Sequence, residues 1–477
     1  MAVEYDLVVI GNSPEGIYAA ASAARLKARV ALVEQSWQSG EPYIQTLCHA
    51  ARLSRQLQQA TELAILAGQP LPAQKLLLSV KAWAEEARFS VSEEQSASVL
   101  AALGVDVISG EGEFCRLPQQ AFVVNERKLR SRAYLIATGA RPSIPTLDGL
   151  QQIQYLTATS MWQRSLATLP STLTILGGTP LSVELAQSLC RLGKIVTLVV
   201  KEQQLLPQED REASLLIQAQ LEAEGVKILL ASPVTQVRQM DGKKWVQAGN
   251  RAVEADEIIL ATASVPNVDK LNLAGVGVKL GRQGLVLNQK LQTTNPAIYA
   301  CGAVAGGYAL PHIAQYEARV ALKNALFVPV LKVDYRYFPW AFATDPQLGR
   351  VGMTEAQSHR YCGSEIFVVR QYFKSVVKAQ ITDETTGFCK LLVRPSGEIV
   401  GVHIVGPEAG EITGAIALAM KNKVKLGAMR NLFPGTTLSD ILNQAIEQWQ
   451  RDRLEHRSTL LGMLETLFII RKNWSSR

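Results

Sequence analysis

A strand-like stretch, Tyr5-Asp6 followed by the unbroken apolar run Leu7-Val8-Val9-Ile10, feeds directly into Gly11-Asn12-Ser13-Pro14-Glu15-Gly16 and then into an alanine-rich stretch, Ile17 to Leu26. A strand covered on both faces reads as a continuous apolar run, because crossover helices cover both sides of a parallel sheet. Gly11 permits the tight turn and Gly16 lets helix and strand approach closely. A second strand, Arg29 to Val33, ends at Glu34. Strand, glycine turn, helix, strand and terminal acid together form a dinucleotide-binding unit. The backbone N–H groups at the helix start suit a pyrophosphate, and Glu34 suits ribose hydroxyls. Ser13 stands where the middle glycine is usual and is expected to crowd the phosphate.

The pattern recurs. Leu173 to Leu176 reads as a strand, Gly177-Gly178-Thr179-Pro180-Leu181-Ser182 as the turn, Val183 to Leu192 as a helix and Ile195 to Val200 as the next strand. Each unit is followed by a strand ending in a related tripeptide, Ala137-Thr138-Gly139 and Ala261-Thr262-Ala263. Two such units predict an α/β chain with two Rossmann-like nucleotide-binding domains. Either two nucleotides bind or one copy of a duplicated fold has decayed.

At 477 residues the chain is too long for one core and suits two to four domains. Six cysteines occur singly, with no CxxC spacing, which argues against a disulfide framework or a metal site and fits a reducing cytoplasm. The net charge of +7 is dispersed, so a nucleic-acid partner is not expected. No segment is long and apolar enough to span a bilayer, and no basic-then-apolar leader precedes Tyr5.

Further segments carry a family resemblance: Gly110-Glu111-Gly112-Glu113-Phe114, Leu135 to Pro142, Thr294 to Gly302, Pro311-His312-Ile313-Ala314, Val333 to Arg336, Thr344-Asp345-Pro346 and Gly401 to Pro407. In these the chain resembles the pyridine nucleotide–disulfide oxidoreductases of the dihydrolipoamide dehydrogenase and mercuric reductase type. The resemblance implies a first part of an FAD domain at 1–150 and an NAD(P)H-binding-like domain at 151–267. It places the second part of the FAD domain at 268–330, an α+β dimerisation domain at 331–450 and a helical extension at 451–477, the whole forming a two-fold homodimer. For FAD it implies Gly11, Ser13, Gly16, Glu34, Gly112, Thr138, Gly139 and His312, with Ala303 standing where the family has an aspartate. For NADPH or NADH it implies Gly177, Thr179, Ser182, Val200, Lys201 and Ala263; Lys201 at the strand end favours a 2′-phosphate over a bare ribose.

The family's redox groups are missing. Aligned on Gly40, the two cysteine positions hold Pro42 and Leu47, and the lysine position holds Ala51. The C-terminal histidine position holds Gly435 and its glutamate position Asp440, while the flavin-side Glu184 survives. The four losses agree, since a protein without the dithiol has no use for its proton relay. Cys48 beside His49 is expected to pack rather than react, because neighbours on a helix point about 100° apart. The expectation is an FAD-dependent NAD(P)H oxidoreductase without disulfide chemistry. Its acceptor would be quinone-like or otherwise not a disulfide, admitted beside Pro42, Tyr43, Thr46 and Leu47. The alternative is a non-catalytic flavin- or nucleotide-binding dimer with a regulatory or scaffolding role, which Thr179, Ser182, Ala263 and Ala303 favour. Residues Leu57 to Ser90 read as a long helix broken at Gly68 to Pro72. Leu454 to Trp474 reads as a helix with apolar residues and a basic end, Arg471-Lys472, for packing on its own dimer, a protein partner or a membrane surface.

Overall fold

The computed structural model describes residues 3–35, 41–62, 73–92, 96–116, 119–282, 284–307, 310–363, 365–455 and 458–474. The chain divides into two compact units, Met1–Lys201 with Val226–Asp334, and Glu202–Gly225 with Tyr335–Arg477.

The first unit is built on two five-stranded sheets. In one, β1 (Tyr5–Ile10) lies centrally, flanked by β2 (Val30–Glu34) and then β3 (Val105–Ser109) on one side. On the other side lie Ser131–Ile136 and then Ile298–Ala300, every pair parallel. Leu7, Val8, Val9 and Ile10 are fully buried, as an unbroken apolar run in a doubly covered strand requires. The helix α1 (Pro14–Arg25) buries Ala19, Ala20, Ala23 and Ala24, whose small side chains let it lie close to the sheet. The second sheet repeats the plan over Leu156–Leu260. Its parallel order is Lys227–Leu229, Ile195–Val199, Thr172–Leu176, Glu257–Leu260, Leu156–Thr157. It therefore interrupts the first sheet in sequence.

The expected long helix after the redox segment is two helices, α2 (Glu41–Glu62) and α3 (Ala73–Ser92). The proposed break at Gly68 to Pro72 lies outside the described residues, as do Ser39 and Gly40.

The second unit is an antiparallel sheet ordered Trp340–Phe342, Gln347–Gly352, Ile399–Gly406, Phe388–Val393, Phe367–Tyr372. The helices Ala409–Lys421 and Asp440–Glu455 share its core. Residues 202–225, assigned by sequence to the second nucleotide domain, belong to this unit. The reason is a charge inside the sheet. Lys390 is 1% exposed and donates to Asp210 Oδ1 at 2.7 Å and Glu355 Oε2 at 2.6 Å, while Arg370 forks onto Glu212. Burial opposes the Lys390 charge, but the hydrogen bonds to Asp210 and Glu355 outweigh it and hold its pKa above the ordinary lysine value. An ammonium in that position requires carboxylates brought by another segment.

Two neighbouring groups titrate in opposite senses. Burial pushes the Glu209 carboxyl up to about 7, against the pull of Arg350, and burial pulls His403 down to about 4. Glu209 contributes stability below its unfolded value of about 4.3, and that contribution is lost as pH rises through 7. His403 contributes stability above about 6.5 that is lost as pH falls towards 4. The Glu209→Gln variant should therefore melt higher than wild type at pH 8 and no higher at pH 5, because His403 is common to both proteins. Thermal melts of both proteins at the two pH values check this. An equal difference at both would show that Glu209 is not the titrating group.

The C-terminal helix, Ser458–Trp474, leaves Met463, Leu467, Phe468, Ile469 and Ile470 exposed. No helix among the described residues is long and apolar enough to cross a membrane.

Candidate cofactor cradles and the start of the second helix

The turn between β1 and α1 is held by its backbone. Gly11 has φ +108°, and its amide donates to the Val33 carbonyl at 2.9 Å. A side chain on Gly11 would strike the Ala137 carbonyl, and one on Gly16 would strike the Gly11 carbonyl. Both positions therefore demand glycine. Ser13 is the N-cap of α1, with the Gly16 amide 3.4 Å from its hydroxyl, and Pro14 follows it as helix starts favour. The Ser13 side chain is fully buried and engaged in that cap.

The strands of this sheet run parallel, so their C-terminal ends share one edge, where α/β sheets bind ligands. Glu34 ends β2 and accepts from the Ser109 hydroxyl at 2.9 Å. Thr138 is buried and donates to the Asn267 carbonyl at 2.8 Å; Gly139 follows with φ +68°. His312 is exposed at the start of the Pro311–Leu326 helix. The Gly302 amide donates to Glu317 Oε2 at 2.7 Å, and Ala303 follows it. Gly112 has a packing reason of its own: any side chain there would strike Phe122 and the Val123 carbonyl in the three-stranded meander. Within the phosphate turn, Asn12 Oδ1 is buried without a hydrogen-bond partner.

Sequence reasoning overlooked Glu15. It lies in the first turn of α1, 7% exposed, with its carboxyl against Gly302. Burial raises its pKa, and hydrogen bonding to its own backbone and to Ser13 only partly opposes this. The available signal was an acid placed inside a turn that suits anions.

The second turn is more closed. Gly177 has φ +148°, and a side chain there would strike the Ala261 carbonyl. Thr179 caps the Pro180–Arg191 helix and donates to the Ala261 carbonyl at 2.9 Å; Ser182 is buried and donates to the Thr179 carbonyl at 2.7 Å. Both hydroxyls are thus spent within the protein. Val200 is fully buried, which removes its side chain from any ligand, whereas Lys201 and Ala263 are exposed.

Pro42 and Leu47, the positions at which the resemblance expects the redox pair, lie on α2, which packs on the Pro180–Arg191 helix. Leu47 is 0% exposed and Ala51 is buried; Pro42 and Thr46 are half-buried. Tyr43 stacks on Trp162 with ring centroids 5.3 Å apart. Leu47 is thus a wall within the core, not an open pocket surface as the sequence suggested. Ser188 donates to Cys48 Sγ at 3.4 Å, and His49 meets the Trp83 ring edge-on. Glu184 is buried on the Pro180–Arg191 helix. In the second unit Gly435 is exposed, and Asp440 accepts from Asn443 and Gln444 at 3.0 Å each. None of the six cysteines is in a disulfide. Burial raises the Cys301 thiol well above its ordinary value and pushes Cys389 up to about 12, so neither is a ready nucleophile. No group of His, Cys, Asp and Glu among the described residues is arranged to hold a metal.

Residues 5–318 match the pyridine nucleotide-disulphide oxidoreductase family and 338–446 its dimerisation domain. The chain belongs to the pyridine nucleotide-disulphide oxidoreductases. It is 31% identical over 466 residues to a mercuric reductase of Staphylococcus aureus, covering 94% of this chain and 83% of that protein. It is 29% identical over 464 residues to a dihydrolipoyl dehydrogenase of Bacillus subtilis, covering 92% and 97%. The fold matches the Cu(II) complex of the HOCl-induced flavoprotein disulfide reductase RclA from Escherichia coli, with TM-score 0.81, 24% identity and coverage of 94% and 100%. It matches LpdA from Mycobacterium tuberculosis equally, at TM-score 0.81. Family members bind FAD and use NAD(P)H. The first cradle fits FAD: two positions that demand glycine, a helix N-terminus, an acid in Glu34 at the end of β2 and a buried Asn12 oxygen with no hydrogen-bond partner.

Proposed function

We propose that this protein is an FAD-dependent NAD(P)H oxidoreductase that delivers electrons to an acceptor other than a disulfide, quinone-like in the simplest case, and that it works as a homodimer. What supports the reading is that Pro42, Leu47, Ala51 and Gly435 stand where the family resemblance expects two thiols, an ammonium and an imidazole for dithiol exchange. Gly11, Ser13 and Gly16 would hold the diphosphate through α1, Glu34 the adenosine ribose, and Thr138, Gly139 and His312 the remainder. Bound FAD would supply the capacity to take hydride and pass electrons on. Around it Leu47, Ile44 and Ala51, all buried, would help to keep water out, and the stacked Tyr43 and Trp162 rings would offer a flat aromatic surface to the acceptor. Gly177 and the helix behind it would receive the second nucleotide's pyrophosphate, with Lys201 beside the adenosine end.

The test is anaerobic titration of the purified flavoprotein with NADPH or NADH, followed by quinone turnover. Bleaching of the flavin band and reoxidation by quinone support the reading. A flavin that neither nucleotide bleaches favours the non-catalytic dimer instead, for which the internally bonded Thr179 and Ser182 speak. Lys201 sets a further expectation. Lys201→Glu should lower the preference for NADPH over NADH by about tenfold or more, since a carboxylate repels the 2′-phosphate that an ammonium attracts. The ratio of kcat/KM for the two nucleotides measures it, and an unchanged ratio would leave Lys201 a solvated strand-end charge.

A further inference from the structure

Glu15 belongs to the first turn of α1, and its side chain crosses the C-terminal edge of the sheet to lie on the Cα of Gly302, at the end of the Ile298–Ala300 strand. A methyl group on Gly302 would collide with Glu15 Oε1 and Cδ. The next residue, Ala303, contributes only a methyl where the family resemblance expects a carboxylate. The same turn carries the unsatisfied Asn12 oxygen. A buried acid on one wall and a missing acid on the other are one arrangement.

We infer that Glu15 supplies, from the opposite wall, the carboxyl that position 303 lacks, and that it positions the ribityl–phosphate end of FAD. This rests on the FAD reading of the first cradle. The raised pKa of Glu15 suits the role, because a neutral acid can sit beside a diphosphate without repelling it, donating through one oxygen and accepting through the other. Glu317 is engaged by the Gly302 amide, so the two carboxyls meet Gly302 from different sides, one at its amide and one at its Cα.

The experiment is titration of the full-length apoprotein with FAD, followed by quenching of flavin fluorescence. Glu15→Ala should bind FAD about tenfold to a hundredfold more weakly than wild type. Glu15→Gln, which keeps the shape and both hydrogen-bonding functions of the neutral acid, should stay within about threefold. The double variant E15A/A303D should recover most of the loss, which a merely structural role for Glu15 would not allow. If E15A does not fold, E15D withdraws the carboxyl by one methylene and should weaken binding in the same direction. Equal or tighter binding by E15A, or no recovery in the double variant, overturns the inference. Failure of the wild type itself to take up FAD removes both this inference and the cofactor reading; wild-type uptake unaltered in E15A removes this inference alone.

Discussion

Purified protein, free of other reductases, should turn over lipoamide or glutathione disulfide with NADPH or NADH at no more than about 10⁻⁴ of the rate of a dithiol-bearing relative, since deleting a nucleophile that acts as part of a catalytic unit typically costs ~10⁴–10⁶ in kcat. The exchange begins with a thiolate attacking a disulfide sulfur, and α2 offers none at positions 42 and 47. Reinstalling the sulfurs should not suffice. Residues five apart on a regular helix are separated by about 7.5 Å of rise, and two cysteines whose Cα atoms lie more than about 7 Å apart cannot be bridged without moving the backbone. The P42C/L47C variant would first have to unwind the start of α2. It would then still lack a group at position 435 to move the proton, a deficit of about 10²–10⁴. The quadruple variant P42C/L47C/A51K/G435H should therefore exceed the double by that factor if α2 can open. Lipoamide reduction by wild type at an enzyme-like rate would end the reading altogether.

Lys390→Met should destabilise the second unit by about 3–5 kcal/mol, the usual result of removing one partner of a buried ion pair. Lys390 and Asp210 are 1% and 2% exposed, so the carboxylate left behind would be buried without its ammonium partner. Lys390 also anchors Glu355, and Arg370 holds Glu212 across the same junction, so residues 202–225 should lose part of their attachment to the sheet. For a unit of this size the thermal midpoint should fall by roughly 6–20 °C. Pairing the change with Asp210→Asn should restore part of the loss, because the stranded charge is then gone. A Lys390→Met protein melting within about 2 °C of wild type would show that the network carries no net stabilisation.

Much of the first cradle was legible in the residues. The Tyr5–Ile10 run, the Gly11 turn and the alanines of α1 each report a local requirement: burial on both faces, a positive φ, a close approach. Those requirements are met where they were read. The second turn was legible as a turn but not as a closed one. Nothing in the order Gly177, Thr179, Ser182 says that the Thr179 hydroxyl donates to Ala261, a partner 82 residues away. Val200 and Leu47 were read as facing ligands because strand ends and redox loops do so in the family, yet each is enclosed. Glu15 went unremarked because glycine spacing says nothing about where a long side chain between the glycines will reach.

The residues alone set what the side chains at positions 42, 47, 51 and 435 can do. A proline, a leucine, an alanine and a glycine have no titratable atom, whatever surrounds them. They also determine the strand–turn–helix units, since glycine φ and apolar periodicity act over a few residues. Only the folded chain decided which distant acid meets which wall: Glu15 against Gly302, Asp210 against Lys390. A buried charge or acid must find its partner in three dimensions, because desolvation penalises it wherever it is buried, and no short pattern in the chain specifies which segment will bring the answering group.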